Sequence, residues 1–233
     1  MSFTKTIYHG STKIIERPEF GKGNLRNDYG LGFYCTEDLE LAKEWACGDN
    51  SGGFVNKYII DISDLSIFSL SLPSYGFMEW LAVLVNNRIF TITSPMAEEA
   101  KDYLTKYYLP DLSGVDVITG YRADDSYFTF AMDFLNSTIS LRQLSRAMQL
   151  GNLGEQFVLK SQKAFDLIRF DCTEAVDGDE YYPKRKKRDI DARDEYLKNE
   201  RSSMRVSGDV FMLDILREEI KQGDERLQRN LFE

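Results

Sequence analysis

The chain has 233 residues and a formal net charge of -9, and hydrophobic residues make up 42% of it. This length and composition predict one globular domain with an appendage, and they exclude a disordered chain. The acidic balance disfavours a nucleic-acid backbone as partner unless a local basic patch overrides it. The three cysteines and one histidine have no metal-ligand spacing, so we expect neither a bound metal nor a disulfide framework.

Two further features favour a cytoplasmic protein without membrane contact. The residues before the first predicted strand contain no apolar signal segment. The longest apolar run, residues 80–85, is far too short to cross a bilayer.

The first motif is a short strand that ends in polar residues. Thr6-Ile7-Tyr8 is β-branched and aromatic, and it is followed by His9, Gly10 and Ser11. A strand end allows the side chains of His9 and Ser11, and the backbone of Gly10, to face a ligand. A lone histidine also has many structural uses, so a satisfied core or surface residue is the alternative.

The second motif is a glycine-rich turn into a strand and a helix. Gly30 and Gly32 bracket a turn before Phe33 and Tyr34, which taken alone is typical of an ordinary β-turn. Residues 36–38 predict an N-cap with acidic neighbours for the helix that follows. Trp45 lies on the apolar face of this helix, where it either packs in the core or contacts a ligand.

The rest of the chain alternates predicted strands and helices. We expect strands at 55–61, 66–70, 115–120, 155–161 and 164–170, of which 155–161 alternates like an edge strand. We expect helices at 77–88, 95–107, 127–134 and 141–150, and a turn at 151–154. Asp124 and Asp125 either cap the helix at 127 or hold a ligand.

Beyond residue 172 the chain becomes highly charged, so we divide it into a domain of residues 1–172 and an extension of residues 173–233. The basic cluster 184–188 is either a solvated helix start or a patch that steers an acidic or nucleic-acid acceptor. A helix is expected from 210 to about 228. Its apolar first turns either pack on the domain or dock a partner protein.

The two motifs together resemble the NAD-binding core of ADP-ribosyltransferases of the diphtheria-toxin and poly(ADP-ribose) polymerase type. In that family, His-Gly-Ser or His-Gly-Thr ends one strand, and a glycine-rich turn leads into a second strand that carries a tyrosine. The pattern over residues 5–170 looks closest to the bacterial domain-of-unknown-function family 3990. This resemblance implies an α+β fold: an ADP-ribosyltransferase-like split β-sheet core with flanking helices, a helical C-terminal tail and NAD as co-substrate in the cleft.

The resemblance also implies roles for individual residues. The backbone of Gly10 would hold the nicotinamide carboxamide, and His9 and Ser11 would bind ribose hydroxyls. Tyr34 and Trp45 would stack on the nicotinamide ring. His9, Tyr34 and Gln156 would form the catalytic set.

Two positions depart from the family pattern. Gln156 stands where the family places a glutamate, and a glutamine cannot act as a base, so elongation of an ADP-ribose chain is disfavoured. Glu155 is the alternative carboxylate, but strand alternation directs neighbouring side chains to opposite faces. The family's serine that contacts the nicotinamide amide falls near Ala42, so that contact is missing or is supplied elsewhere.

The predicted function is therefore mono-ADP-ribosyl transfer from NAD to a macromolecular acceptor, a protein or a nucleic acid. Relatives of this kind are often bacterial toxins or effectors, which adds a neutralising antitoxin-like protein as an expected partner. Two other functions stay open. One is an NAD glycohydrolase, in which water replaces the acceptor, and the other is a catalytically weak NAD-fold module that binds a partner through its tail.

Overall fold

The computed structural model describes residues 3–49, 51–71, 76–89, 92, 94–123, 125–150 and 154–232 of the chain. Within these ranges it is a mixed α+β protein with two β-sheets and nine α-helices. The α+β class predicted from the sequence is thereby confirmed. Asp124 and most of the predicted turn at 151–154 lie outside the described residues. Among the helices of these ranges, none has both the length and the apolar character that a membrane span requires.

Seven strands of the described chain form the two sheets. The first sheet has the order β1-β3-β7 and is antiparallel throughout. The second sheet has the order β2-β6-β5-β4, in which β4 and β5 run parallel and the other neighbours antiparallel. The strands are β1 (Thr4–Ser11), β2 (Phe33–Cys35), β3 (Gly53–Asp61), β4 (Ile67–Ser69), β5 (Val117–Tyr121), β6 (Glu155–Leu159) and β7 (Ile168–Val176).

The helices agree with the predicted ones at α1 to α5 and differ from them later in the chain. A π-helical turn, Tyr196–Glu200, continues the long helix α7. The helices are α1 (Leu39–Ala46), α2 (Phe77–Asn87), α3 (Pro95–Tyr107), α4 (Asp125–Leu135), α5 (Leu141–Ala147), α6 (Gln162–Leu167), α7 (Gly178–Glu195), α8 (Met212–Arg217) and α9 (Glu225–Phe232).

Two strand predictions are wrong for identifiable reasons. The expected strand at 164–170 is instead helix α6 followed by β7, because the Ser161 side chain accepts a hydrogen bond from Ala164 N at 3.1 Å and caps the helix. The strand β6 is not an edge strand, because it pairs with β2 on one side and with β5 on the other. A strand with both neighbours in place has no free hydrogen-bonding edge.

The single helix expected from 210 to 228 is two short helices, α8 and α9. The chain turns between them through Glu219, with φ 49°, and Gly223, with φ 90°, both in the left-handed region that ends a helix. Ile220 O accepts hydrogen bonds from the hydroxyls of Tyr103 and Tyr108, at 3.0 and 2.7 Å. Val210, Phe211 and Ile215 are buried, so the chain itself covers much of the apolar segment.

The chain forms two compact units that interleave along the sequence. The first unit comprises Met1–Leu72, Asp111–Arg122 and Leu153–Arg188, and the second comprises Pro73–Pro110, Ala123–Asn152 and Asp189–Glu233. Both sheets belong to the first unit, and helices build the second, with Trp80 of α2 fully buried there. The division into residues 1–172 and 173–233 stays a sequence-based prediction.

The two sheets of the first unit meet at a bridge between Tyr8 and Thr36. Tyr8 N donates to Thr36 O at 2.8 Å, and Thr36 N donates to Tyr8 O at 2.9 Å. Behind this bridge, Ile7 of β1, Cys35 of β2 and Phe157 of β6 belong to one apolar cluster. The junction therefore brings the two sequence motifs into one core.

Helix α1 lies directly on β1 at Gly10. A Cβ atom at this position would lie 2.2 Å from Ala42 O and 2.6 Å from Ala46 N, both backbone atoms of α1. Backbone atoms cannot swing aside as a flexible side chain can, so only glycine permits this approach. The glycine of the first motif thus sets how closely the helix of the second motif packs on it.

The basic cluster 184–188 lies inside α7, and two of its arginines bind α1. Arg185 Nη1 donates to Cys47 O, the C-cap residue of α1, at 3.1 Å. Arg188 binds both carboxylate oxygens of Glu44, with Nη2 at 2.7 Å and Nε at 3.0 Å. Because the Glu44 side chain is 5% exposed, this ion pair has a structural role that a solvated helix start would lack.

Replacement of Gly10 by alanine should destabilise the fold strongly. The added Cβ must push α1 away from β1, and overpacking of this kind costs about 1–3 kcal/mol. The free energy of unfolding from urea denaturation measures this loss. Gly48→Ala is the matched control, because its added Cβ would meet only the Ser51 side chain, at 3.0 Å. Equal stability of the two variants would show that α1 does not rest on Gly10.

Removal of the Arg188 side chain should cost about 1–3 kcal/mol, because the buried Glu44 carboxylate loses its bidentate partner. The exposed Lys186 is the matched control, since Lys186→Ala removes the same charge from the same helix. Urea denaturation of both variants gives the comparison. If Lys186→Ala costs as much as Arg188→Ala, net charge rather than the ion pair with Glu44 is responsible.

Candidate functional site

His9 links the first motif to the second through a backbone carbonyl. Its Nδ1 lies 2.7 Å from Tyr34 O, and because a carbonyl only accepts, Nδ1 carries the proton. The imidazole stacks on the Phe33 ring with 4.4 Å between ring centroids. Desolvation lowers the pKa of His9 below its usual 6.5, although the hydrogen bond to Tyr34 partly opposes this. The neutral ring therefore keeps Nε2 as a hydrogen-bond acceptor.

Tyr34 uses its hydroxyl to hold the glycine turn. The hydroxyl donates to Gly30 O at 2.6 Å and accepts from Tyr29 N at 3.1 Å. Gly30 has φ 71°, and a Cβ at Gly32 would lie 2.7 Å from Val158 Cγ1. The turn thus requires Gly30 for its backbone conformation, and the packing of the turn on β6 requires Gly32. Both requirements are structural, in agreement with the ordinary β-turn that the Gly-x-Gly pattern alone indicates.

Tyr34 and Gln156 lie on the same face of the second sheet, and His9 approaches from the other. Tyr34 is the cross-strand partner of Val158, and Gln156 precedes Val158 by two residues, so all three side chains share a face. Phe33, against which His9 stacks, projects to the opposite face. His9 is therefore linked to Tyr34 by a hydrogen bond to its backbone carbonyl. The side chains of Tyr34 and Gln156 project from the same face of the sheet.

Gln156 is a buried polar side chain whose amide nitrogen has a hydrogen-bond partner and whose amide oxygen has none among the described residues. It is 7% exposed, and its Nε2 donates to Asp28 Oδ2 at 3.3 Å. Its Oε1 is buried and has no hydrogen-bond partner among the described residues. An unsatisfied buried acceptor costs about 1–3 kcal/mol, so its presence requires an explanation.

A pocket of about 440 Å³ opens where β6 begins and α1 is capped. This volume lies within the range of small-molecule sites. Of the carboxylates in its wall, Glu37 pairs with Lys5 at 2.6 Å and Asp38 accepts from Leu41 N as the N-cap of α1. The lining residues are Thr36, Glu37, Asp38, Thr119, Glu155, Gln156 and Phe157. Among the described residues that line this pocket, Gln156 is the one that the sequence predicts as a site residue.

Trp45 is half-buried, and one face of its indole is covered by a cation. The Arg122 guanidinium lies 4.5 Å from the ring centroid, a cation–π arrangement. Arg122 follows β5 directly, next to Tyr121, which pairs with Glu155 at the start of β6. Trp45 therefore lies against the segment that directly follows β5, next to the pairing of Tyr121 with the start of β6.

The remaining predicted residues have local roles that the structure shows. Ser11 Oγ accepts from Lys13 N at 3.2 Å, which closes a short turn after β1. Ala42 is fully buried, with its carbonyl against Gly10. Within the described residues no group of three or more His, Cys, Asp or Glu side chains could hold a metal ion.

Sequence reasoning missed three polar residues of this region. Asp28 is 5% exposed and Asn56 is 0% exposed, and Arg122 lies on Trp45. Asn56 Nδ2 donates to His9 O at 3.3 Å and to Lys13 O at 3.2 Å. Asn56 thus fixes the chain on both sides of Ser11. An asparagine within a β-branched run, where this residue type is disfavoured, was the available signal.

The single histidine makes its pKa directly measurable. We expect the NMR titration of His9 to give a pKa below 6.5, because burial penalises the charged ring. Folding stability should consequently fall as pH drops from about 6.5 through the lower pKa of the folded state, since the unfolded chain takes up the proton first. His9→Gln should remove this part of the pH dependence. A pKa at or above 6.5 would contradict the neutral, Nδ1-protonated ring.

The comparisons with known proteins give one match. A family model described as a protein of unknown function, DUF3990, matches residues 5–170. No curated protein and no solved structure matches the chain. The matched span contains His9, the glycine turn and Gln156, and it covers more than half of the chain. The predicted relation to family 3990 is confirmed: the chain belongs to the DUF3990 family.

Proposed function

We propose that this protein is a mono-ADP-ribosyltransferase that uses NAD as co-substrate and transfers ADP-ribose to a macromolecular acceptor. The observation that carries the proposal is the junction of the two motifs, where His9 Nδ1 donates to Tyr34 O at 2.7 Å. The resemblance to ADP-ribosyltransferases requires these motifs to meet at one site. Two sheets joined at the Tyr8–Thr36 bridge are also compatible with a split β-sheet core.

Individual residues of the two motifs offer groups that suit NAD, with His9 and Gln156 on opposite faces of the second sheet. NAD supplies a ribose bond to nicotinamide that breaks with departure of a neutral amide. In this proposal His9 Nε2 accepts a hydrogen bond from a ribose hydroxyl, because the neutral ring leaves that nitrogen unprotonated. Gln156 offers a second acceptor, Oε1, which has no partner among the described residues. Ser11 and the Gly10 backbone complete the contacts in the proposed site.

In this proposal Tyr34 and Trp45 stack on the nicotinamide ring. An electron-poor cationic heterocycle is attracted to an aromatic face, as the Arg122 guanidinium on Trp45 illustrates. The carboxylates of the pocket wall favour the cationic nicotinamide end of NAD and disfavour its pyrophosphate. Arg122 is the cation that we assign to the pyrophosphate.

The acceptor and partner are proposals of the same kind. A protein or nucleic-acid acceptor, a role as toxin or effector in the cytoplasm, and a neutralising antitoxin-like partner follow from the family resemblance. The basic cluster 184–188 contributes less to steering than its composition predicts. Arg185 and Arg188 are engaged by α1, and Lys184 pairs with Glu180 at 2.7 Å.

NAD labelled in its adenylate part separates the candidate functions. We expect protein-bound or nucleic-acid-bound label when the full chain is incubated with NAD and a native lysate. His9→Ala should reduce this label by at least about tenfold through the lost ribose contact. Thermal unfolding of His9→Ala must show an intact fold, and Lys198→Ala, at an exposed lysine outside the basic cluster, is the surface control with unchanged transfer. Free ADP-ribose without bound label would instead establish a glycohydrolase, and no turnover would leave a binding module.

A further inference from the structure

The two ends of the Gln156 amide lie in different chemical surroundings. Nε2 donates to Asp28 Oδ2 at 3.3 Å, whereas Oε1 is buried without a partner among the described residues. A carboxylate accepts hydrogen bonds and an amide NH₂ donates them. Asp28 therefore fixes which end of the amide faces it, and the carbonyl end is left for another donor.

Asp28 is itself held in a rigid turn. The next residue, Tyr29, is 2% exposed, and its hydroxyl donates to Tyr121 O at 2.6 Å. Tyr29 N donates to the Tyr34 hydroxyl, and Lys160 Nζ donates to Tyr29 O. Gly30 N closes the turn by donating to Asn27 O at 2.9 Å. Backbone contacts on both sides of Tyr29 thus leave Asp28 little freedom to move away from Gln156.

We propose that Asp28 is a positioning residue that keeps the Gln156 amide oriented with Oε1 as the acceptor for a ribose hydroxyl of the bound nucleotide. Because Oε1 is buried in the chain without ligand, the nucleotide must displace the side chains that cover it. The identity of that nucleotide as NAD rests on the proposed function. The pair makes the site selective for a ligand that has a hydroxyl donor at this point. A ligand without that hydroxyl leaves Oε1 unsatisfied, and the site discriminates against it.

The same pair explains why a glutamine suits this position. A glutamate at 156 would place a second carboxylate beside the buried Asp28, and repulsion between the two would raise the pKa of the introduced group. A protonated carboxyl is a poorer acceptor than a fixed amide carbonyl. Gln156→Glu should therefore weaken NAD binding near neutral pH, and adding Asp28→Asn should restore it.

The first measurement needs no ligand. The Gln156 side-chain NH₂ signals are assigned by their loss in Gln156→Ala. In the wild-type chain one proton of this pair should be shifted downfield and protected from exchange, because it binds the Asp28 carboxylate. Asp28→Ala removes the acceptor and should remove the shift and the protection. Unchanged signals in Asp28→Ala would overturn the positioning role.

The second measurement compares two ligands by calorimetry, namely NAD and an NAD analogue that lacks both hydroxyls on the nicotinamide ribose. Asp28→Ala should weaken NAD about tenfold and leave the affinity of the analogue unchanged, because only NAD uses the oriented Oε1. Glu155→Gln is the matched control, since it removes one carboxylate from the same pocket wall. It should change both affinities by the same factor.

The outcomes separate this inference from the proposed function. An equal loss for both ligands in Asp28→Ala would overturn selective positioning, even though NAD binds. A wild-type chain that binds no NAD would overturn the proposed function and the ribose assignment together, while the NMR signals still decide whether Asp28 holds Gln156. Circular dichroism and thermal unfolding confirm that each variant is folded before either measurement.

Discussion

The absence of a side chain at Gly10 sets the geometry on which the first unit depends. Helix α1 approaches β1 so closely that a Cβ would lie 2.2 Å from Ala42 O. This contact fixes α1, and α1 in turn carries Trp45 and, through Asp38 at its N-cap, one wall of the pocket. Glu44 on the same helix receives Arg188 of α7. A single backbone-to-backbone approach thus determines where several distant segments meet.

The polar groups of the candidate site are oriented mostly by backbone atoms. His9 binds the Tyr34 carbonyl, and the Tyr34 hydroxyl binds two backbone groups of the glycine turn. Backbone partners have fixed hydrogen-bonding roles, so they determine which ring nitrogen of His9 stays an acceptor. The Asp28–Gln156 contact does the same with a side-chain carboxylate. The result is two acceptors, His9 Nε2 and Gln156 Oε1, whose orientation is set by contacts within the protein.

The charged C-terminal segment shows how composition alone misleads. Residues 184–188 have the composition of a solvated or nucleic-acid-binding patch, yet Arg185 and Arg188 bind a helix C-terminus and a buried carboxylate. Their partners lie far away in the sequence, at Cys47 and Glu44. A long arginine side chain can span such a gap, and a charge count does not reveal it.

The sequence by itself determined the α+β class, the positions of most helices and strands up to residue 150, and the two motifs that meet in the structure. These features follow from local signals: β-branched runs, helix caps and glycines with restricted alternatives. The helical start of 164–170 also has a local signal, the cap at Ser161, which the strand prediction overlooked. Only the tertiary structure decided that β6 is central and that Asp28 lies beside Gln156. Strand order and side-chain pairing join residues far apart in the chain, and no local pattern encodes which of many possible partners they take.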